Sequence, residues 1–254
     1  AAKRAGMSQS KVSKIETANL LPSVDDVDQL CRALSTPAEL RVDLLDRTER
    51  LHTEFDTLRA IQRRGFHRKQ QELGEIEAEA TTLRYLQLTG IPGLLQTAEY
   101  VRQVLSLGLT GVELGKTVTA RLERQAVLYD PSKQFTFLIP ESALRWRFWS
   151  DQVMLAQLDR IASISTLPNV RIAVIPWTAQ VREVPLHGFI IYDDHWVAAE
   201  METGSVTLTD PHDVAAYLEL FATLEESAVF DDEARVVLAR VAGDYRRLED
   251  SGSP

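Results

Sequence analysis

The sequence has a single cysteine and no long apolar run, and both shortages exclude whole classes of protein. Cys31 stands alone among 254 residues, which excludes an internal disulfide and a cysteine-rich zinc site and fits a reducing compartment. No apolar run approaches the roughly 18 residues of a membrane span. The Ala-Ala-Lys-Arg start also has no apolar stretch behind it, unlike a secretory signal. We therefore expect a soluble cytoplasmic protein without a membrane segment.

The chain also lacks the positive charge that is typical of nucleic-acid-binding proteins, because its net charge is −9. This charge is spread unevenly. Residues 1–70 carry 13 Lys and Arg against 10 Asp and Glu, whereas the remainder carries 15 against 27. Screening limits electrostatic attraction to about 10 Å at moderate salt, so the local charge decides whether DNA is attracted. Only the N-terminal end is therefore a credible DNA surface, and the acidic remainder suits a small molecule or a protein.

No arrangement typical of catalysis or of metal binding is present in the sequence. The His and Glu residues between 187 and 212 lack dependable ligand spacing. Ser142 and Ser205 lack the glycine frame of a nucleophile elbow, and the glycines between 108 and 115 match no phosphate-binding loop. We expect no enzymatic activity, no metal site and no cofactor.

Apolar periodicity predicts an α+β chain. Residues 1–48 are expected to form a partial helix-turn-helix domain of short helices, 49–74 a connecting helix, 75–248 an α/β domain, and 249–254 a tail. The α/β domain is predicted to hold a mixed sheet of about five strands flanked by helices. The five strands are expected at 135–139, 170–175, 189–192, 196–201 and 205–208. A helix at 152–165 between the first two predicts a βαβ unit.

Residues 2–16 have the features of two helices joined by a tight turn. Ala5 permits a close helix approach, Gly6 suits the left-handed residue that ends a helix, and Val12 with Ile15 forms one apolar face. Ser8 is placed to cap the second helix. The opposite face is polar and comprises Ser8, Gln9, Ser10, Lys11, Ser13 and Lys14. The alternative interpretation is an ordinary amphipathic helix with a solvated face.

This stretch resembles the second and third helices of repressor-type helix-turn-helix regulators, also called xenobiotic-response-element-like regulators. The resemblance implies that Gln9 and Ser10 approach base edges in the major groove of double-stranded DNA, with Lys14 one turn further. Lys11 and Ser13 then lie nearer the phosphates. A glutamine paired with adenine contributes roughly 1–3 kcal/mol of base discrimination.

The family's first helix and most of its second would precede this stretch. We therefore expect the sequence to be truncated at its N-terminus and to bind DNA poorly as given. Ala18-Asn19-Leu20 stands where the family has a glycine and a basic pair. This leaves Asn19 as the residue expected to adopt a left-handed turn.

A second resemblance covers roughly residues 75–248. Its pieces are Glu79-Ala80, the Ile-Pro-Gly-Leu-Leu-Gln-Thr segment at 91–97, Tyr100, 121–125, 141–144, Gln157-Leu158, 168–176, Gly188-Phe189 and Glu200. In this order they resemble the domain of unknown function that follows the helix-turn-helix in a large class of actinobacterial regulators. Members of that class are often encoded beside a small acidic partner protein.

Candidate ligand or partner residues of this domain fall into two groups. In the polar group, three residues share one helix and are expected to pair with the fourth, Glu141. The aromatic group is expected to wall a small-molecule pocket. The members are Arg121, Arg124, Gln125 and Glu141 in the first group and Trp146, Trp149 and Trp177 in the second. A structural polar network and ordinary core packing remain the alternatives.

Together these features predict a DNA-binding transcription regulator, expected to be a homodimer, whose C-terminal domain binds a small-molecule effector or a small acidic protein. The alternative is an antitoxin-like or scaffold protein that acts mainly through that partner. Residues 63–69 form a run of basic side chains. This run is either a solvated helix end or an element that contacts phosphates or forms a dimer.

Overall fold

Short helices form the N-terminal region. A computed structural model describes residues 2–250. A 3-10 turn (Ala2–Ala5) ends at Gly6, whose φ of +68° is left-handed, as predicted. It is followed by α1 (Gln9–Glu16), α2 (Val24–Leu34) and α3 (Ala38–His52). The predicted cap at Ser8 is confirmed, because its hydroxyl accepts a hydrogen bond from the Lys11 N–H at 3.1 Å.

The expectation for Asn19 is wrong, because the left-handed residue after α1 is Ala18, with φ +55°. The Asn19 N–H donates to the Lys14 carbonyl at 2.8 Å and the Ala18 N–H donates to the Ile15 carbonyl at 3.0 Å. These two bonds are the closing pair of a Schellman motif, which requires the left-handed conformation at the first residue beyond the helix. Helix closure therefore decides the turn, rather than the preference of the asparagine.

The single connecting helix predicted over 49–74 is also wrong. After α3 the chain forms β1 (Thr53–Thr57), α4 (Leu58–Arg64) and α5 (Phe66–Glu79). The apolar stripe that indicated a helix includes Phe55, which instead pairs with Val206 of another strand. Long-range strand pairing here overrides the local helical spacing.

An eight-stranded mixed sheet forms the C-terminal part, instead of the predicted five strands, in the order β1-β7-β6-β5-β2-β3-β4-β8. The strands after β1 are β2 (Thr82–Leu86), β3 (Gln134–Pro140), β4 (Val170–Ile175), β5 (Phe189–Tyr192), β6 (Trp196–Met201), β7 (Gly204–Leu208) and β8 (Val229–Phe230). All five predicted strands are confirmed, whereas β1, β2 and β8 were not predicted. The sheet pairs β2-β3-β4 in parallel and the remaining strands antiparallel.

Strand β2 was not predicted because its alternating pattern is short. Leu83 and Tyr85 pack into one core and Leu86 packs into the core on the opposite face of the sheet. Polar and apolar residues alternate only from Thr82 to Tyr85, and Leu86 interrupts the pattern. Strand β8 has only two residues, which is too few for a periodic pattern.

Helices cover both faces of the sheet. The remaining helices are α6 (Ala98–Ser106), α7 (Gly111–Arg124), α8 (Glu141–Arg145), α9 (Asp151–Ile164), α10 (Pro211–Glu225) and α11 (Asp231–Asp250). Residues of α9 and α11 belong to one core and residues of α10 to the other. The predicted βαβ unit is confirmed, because β3 and β4 are parallel and α9 lies between them in sequence. The predicted tail begins too early, since α11 continues to Asp250, and residues 251–254 lie outside the described residues.

Candidate nucleic-acid interface and its junction with the C-terminal domain

The polar face of α1 is open to solvent. Val12 is buried and Ile15 is half-buried, so the apolar side of this helix holds it against the protein. The predicted DNA-contacting side chains that are exposed are Ser8, Gln9, Ser10, Ser13 and Lys14. This face therefore presents hydroxyl, amide and ammonium groups to solvent, with the Ser8 hydroxyl also capping α1.

Lys11 is placed differently from its neighbours. Its Nζ lies 2.6 Å from Oδ1 of Asp26, in the first turn of α2. The other Asp26 oxygen accepts a hydrogen bond from the Ser23 N–H at 3.2 Å, which completes the capping box of α2. Lys11 therefore fixes α1 against the start of α2, and the phosphate contact expected of it stays a prediction.

One buried carboxylate caps two helices at the boundary between the N-terminal helices and the sheet. Asp210 is 5% exposed, and its Oδ1 accepts a hydrogen bond from the His212 N–H of α10 at 2.9 Å. Its Oδ2 accepts a hydrogen bond from the Val24 N–H, the first residue of α2, at 3.0 Å. Helix N-termini carry a partial positive charge, so one anion stabilises both ends. The start of α2 is thereby attached to the connection between β7 and α10.

A buried imidazole makes a second link at the same place. His52 ends α3, and its Nε2 donates to the Pro22 carbonyl at 2.8 Å. Its Nδ1 lies 2.9 Å from Oγ1 of Thr209, the residue before Asp210. The Pro22 carbonyl only accepts, so Nε2 must carry a proton. A cavity of about 300 Å³ opens beside His52 and Asp210.

The expected pairing of Arg121 and Arg124 with Glu141 is wrong. Helix α7 packs against α5, and the Arg124 guanidinium binds both carboxylate oxygens of the fully buried Glu77. Its Nη1 also donates to Oε1 of Gln70 at 2.6 Å. Burial lowers the pKa of Arg124, but the Glu77 charge outweighs burial and the pKa is raised overall. Arg124 and Glu77 therefore form a buried, bidentate ion pair.

Arg121 lies beside this pair and has no carboxylate within ion-pairing distance among the described residues. Burial, followed by the Arg124 charge, lowers the pKa of Arg121 to about 10. Its Nε donates to Oε1 of Gln70 at 3.1 Å and its Nη1 to Oε1 of Gln96 at 3.3 Å. The guanidinium is thus held by two amide oxygens.

Three glutamine side chains hold the Ile-Pro-Gly-Leu-Leu-Gln-Thr segment. Gln125 Nε2 donates to the carbonyls of Gly93 at 3.1 Å and Gln96 at 2.8 Å. Gln157 Nε2 donates to the Leu95 carbonyl, and its Oε1 accepts from the Thr97 N–H, both at 2.8 Å. Gln96 Nε2 donates to the Ile91 carbonyl at 2.8 Å. Gln125 is thus part of a buried network that satisfies the backbone of a tight turn.

Glu141 belongs to a different cluster, at the end of β3. It is 2% exposed and binds Arg145 and Arg240, each at 2.7 Å. It also accepts a hydrogen bond from the Trp177 N–H at 3.0 Å. Burial alone raises the pKa of this carboxyl, but the Trp177 N–H and the Arg145 guanidinium outweigh burial and lower the pKa overall.

The three tryptophans occupy unlike places and do not wall one pocket. Trp149 packs against the core and meets Tyr100 edge to face, with centroids 6.3 Å apart. Trp146 is 51% exposed and Trp177 is 77% exposed. Trp146 lies beside Phe148, another exposed ring, at 5.1 Å between centroids. Trp149 is thus a core residue, whereas Trp146 and Trp177 are surface residues near the Glu141 cluster.

Residues 70–240 match a family described as a domain of unknown function, DUF5753. The chain belongs to this family. Residues 1–44 match a helix-turn-helix domain, so the protein joins such a domain to a DUF5753 domain, as a helix-turn-helix regulator does. No curated protein matches.

The chain is only remotely similar to the following two solved structures, as their identities and TM-scores show. TrmBL2, an archaeal chromatin protein described as having a novel mode of DNA binding, is 13% identical with a TM-score of 0.35. The match covers 80% of this chain and 65% of that one. Nuc from Salmonella typhimurium, a phospholipase D family member, is 14% identical with a TM-score of 0.33, covering 62% and 86%. At these scores neither likeness carries an argument about function.

Sequence reasoning missed the residues that join the DUF5753 domain to the helix-turn-helix region. The Asp210-Pro211 pair signals a helix start, but nothing in it points to α2. Glu77 lies three residues beyond the predicted connecting helix, and nothing in the sequence around it indicates a partner on α7. No helix of residues 2–250 combines the length and apolar character needed to cross a membrane. Within the same residues, no group of three His, Cys, Asp or Glu side chains is placed to hold a metal ion.

Proposed function

We propose that the protein is a DNA-binding transcription regulator of the repressor type. In this proposal α1 enters the major groove of double-stranded DNA, where Gln9 and Ser10 meet base edges and Lys14 follows one turn later. The exposure of all three side chains supports this assignment. An actinobacterial source and a role that involves binding rather than catalysis belong to the same proposal.

The observation that carries the regulatory part is the double cap made by Asp210. Oδ1 of this carboxylate fixes the start of α10 and Oδ2 fixes the start of α2. An effector or partner of the DUF5753 domain that shifts the β7–α10 connection therefore also shifts α2, which is bound to α1 through Lys11 and Asp26. A ligand moves such an equilibrium only by its difference in affinity for the two arrangements.

A gel shift on the protein's own promoter tests the DNA-reading face. The Gln9→Ala, Lys14→Ala double variant is expected to bind at least tenfold more weakly and to discriminate less between base sequences, from the size of a base contact. A matched control is Gln103→Ala, Lys116→Ala, which removes an amide and an ammonium from α6 and α7. Equal affinity and specificity for the double variant and the control would overturn the assignment.

A homodimer is part of the proposal, because paired recognition helices usually read two half-sites about one helical turn apart. Analytical ultracentrifugation of the protein with and without promoter DNA tests it. A sedimenting mass of one chain in both samples contradicts the dimer.

A second candidate function is that of an antitoxin-like or scaffold protein that binds a small acidic partner. The exposed Trp146 and Trp177, with Arg145 and Arg240 nearby, favour it. Tryptophan and arginine are enriched among residues that dominate protein–protein binding energy. If Trp146→Ala, Trp177→Ala abolishes co-purification of a neighbouring gene product while promoter binding persists, this function is supported. Co-purification that is unaffected by these changes contradicts it.

A further inference from the structure

The segment that follows β1 carries an unusual charge for this chain. Residues 57–71 contain five Lys and Arg residues and no Asp or Glu, in a protein whose net charge is −9. They form α4 and the first turns of α5, which Gly65 separates with a φ of +99°. The helix-turn-helix match ends at residue 44, so this charge lies outside it.

Two of the neighbouring carboxylates, Asp56 and Glu113, are engaged by part of this charge. Asp56 in β1 binds both Arg64, at 2.5 Å, and Lys69, at 3.2 Å. Glu113 at the start of α7 binds His67 at 3.0 Å. The Asp56 contacts hold the last turn of α4 and the first turn of α5 against the edge strand β1, and the Glu113 contact holds α5 against α7.

Three arginines remain without an ion pair among the described residues, and all three are exposed. They are Arg59, Arg63 and Arg68, and we call them the α4 arginines. Arg59 and Arg63 are four residues apart, so they lie on one face of α4, where like charges repel. Glu54 and Glu72 are exposed acids close to them in the chain, and residues 54–72 still carry five Lys and Arg against three Asp and Glu. An anionic partner would relieve this repulsion.

The position of the α4 arginines indicates which anion they meet. Helix α3 passes directly into β1, and α4 follows β1 directly. A strand of five residues spans about 17 Å, which is about half a helical turn of B-DNA. The α4 arginines thus follow the helix-turn-helix match after the end of α3 and one strand of this length, and a duplex read by α1 is a polyanion whose phosphates would relieve their repulsion.

We infer that Arg59, Arg63 and Arg68 form a second contact surface for the DNA backbone, which binds phosphates beside the site read by α1. This inference rests on the proposed function. The surface adds affinity and salt dependence but no base discrimination, because phosphate contacts carry no sequence information.

Fluorescence anisotropy of the full chain on random-sequence duplexes of about 40 and about 16 base pairs tests the inference, because backbone contacts supply non-specific binding. The Arg59→Ala, Arg63→Ala, Arg68→Ala variant is expected to bind the long duplex at least tenfold more weakly at about 0.1 M salt. The slope of log affinity against log salt should fall by about 2–3, near 0.9 for each lost phosphate contact. The short duplex should show a smaller loss.

Two matched variants separate charge from folding. Arg59→Lys, Arg63→Lys, Arg68→Lys keeps the charge and should keep the salt slope. Arg102→Ala, Lys116→Ala, Arg246→Ala removes three other exposed cations that lack ion pairs among the described residues, and should leave the slope unchanged. A slope that falls equally in both alanine variants overturns the inference, because it then reports only net charge.

The remaining outcomes distinguish this inference from the proposed function. If the unaltered protein binds DNA and the α4 variant binds with the same slope, only the second surface is overturned. If the unaltered protein binds no DNA at all, both fail. Binding to phosphatidylserine vesicles that is lost in the α4 variant, with an unchanged DNA slope, assigns the arginines to a membrane surface and overturns the inference.

Discussion

Asp210 and Val24 are 186 residues apart in the chain, yet the Val24 N–H donates to Oδ2 of Asp210 at 3.0 Å. The bond joins the first turn of α2, within the helix-turn-helix region, to the start of a helix that covers the sheet of the DUF5753 domain. Because the same carboxylate also caps α10, the two helices share one anion, and a change at either helix alters the hydrogen bonding of the other.

Replacing Asp210 should therefore affect both helices. Asp210→Ala removes both caps and is expected to lower the free energy of unfolding by about 1–3 kcal/mol, since a cap contributes about 1 and a buried unsatisfied N–H costs more. Urea unfolding measures the loss, and hydrogen exchange should show weaker protection at the starts of both α2 and α10. Ser150→Ala, which removes a cap from α9 alone, is the control. Protection of α2 that is unchanged in Asp210→Ala would contradict the shared cap.

His52→Phe should weaken the same junction by a different route. The ring retains the volume of the side chain but leaves the half-buried Pro22 carbonyl without its donor, whereas the exposed Thr209 hydroxyl keeps its bond to the carbonyl of residue 52. An unsatisfied acceptor costs about 1–3 kcal/mol when buried, so the melting temperature should fall by several degrees. His195→Phe changes an exposed imidazole whose side chain is 76% exposed, and should have little effect. Equal melting temperatures for the two variants would show that His52 is not a structural link.

Removing one partner of the Glu77–Arg124 pair should destabilise the protein more than removing both partners. Arg124→Met leaves Glu77 buried and unpaired, and is expected to cost about 3–5 kcal/mol in urea unfolding. The Glu77→Gln, Arg124→Met double variant removes both charges and should recover part of this loss. Since the two residues are in contact, their effects should not add. If the double variant loses as much unfolding free energy as Arg124→Met and Glu77→Gln lose in sum, the two residues are not a coupled buried pair.

The Glu141 cluster should make the stability of the folded protein decrease in acid. The pKa of this carboxyl is lowered in the folded state from its ordinary value of 4.5. Its contribution to stability is complete above about pH 4.5 and is lost as pH falls through the lower folded pKa. Melting temperature measured between about pH 3 and pH 6 should thus fall less steeply in Glu141→Gln than in the unaltered protein. If the melting temperatures of the two proteins fall equally with pH, Glu141 is not the source of the acid sensitivity.

Local signals predicted a large part of this fold and long-range contacts decided the rest. The cap at Ser8 follows from residue type and spacing, and five strands follow from short runs of apolar and β-branched residues. Strand β1 was missed because Phe55 fits a helical stripe as well as it fits its pairing with Val206. The local sequence therefore does not distinguish a helix from a strand at this segment.

Local sequence likewise predicts one part of the candidate site and not the other. The exposed face of α1 could be predicted, because Val12 and Ile15 fix which side of one helix is buried. The attachment of α2 to Asp210 could not, because an Asp-Pro pair indicates only the helix that follows it. Arg124 was recognised as a polar residue of interest, but its partner Glu77 lies on a helix whose bounds were predicted incorrectly.

Helix α3 passes into β1 without an intervening residue, and this affects where proteases can cleave the protein. The predicted boundary between residues 48 and 49 falls inside α3, which runs to His52. Proteases cleave exposed, pliable segments, and here a helix and a paired strand occupy the place where a hinge would be. Limited digestion should therefore release no separate helix-turn-helix fragment from this boundary, and the two parts should be degraded together.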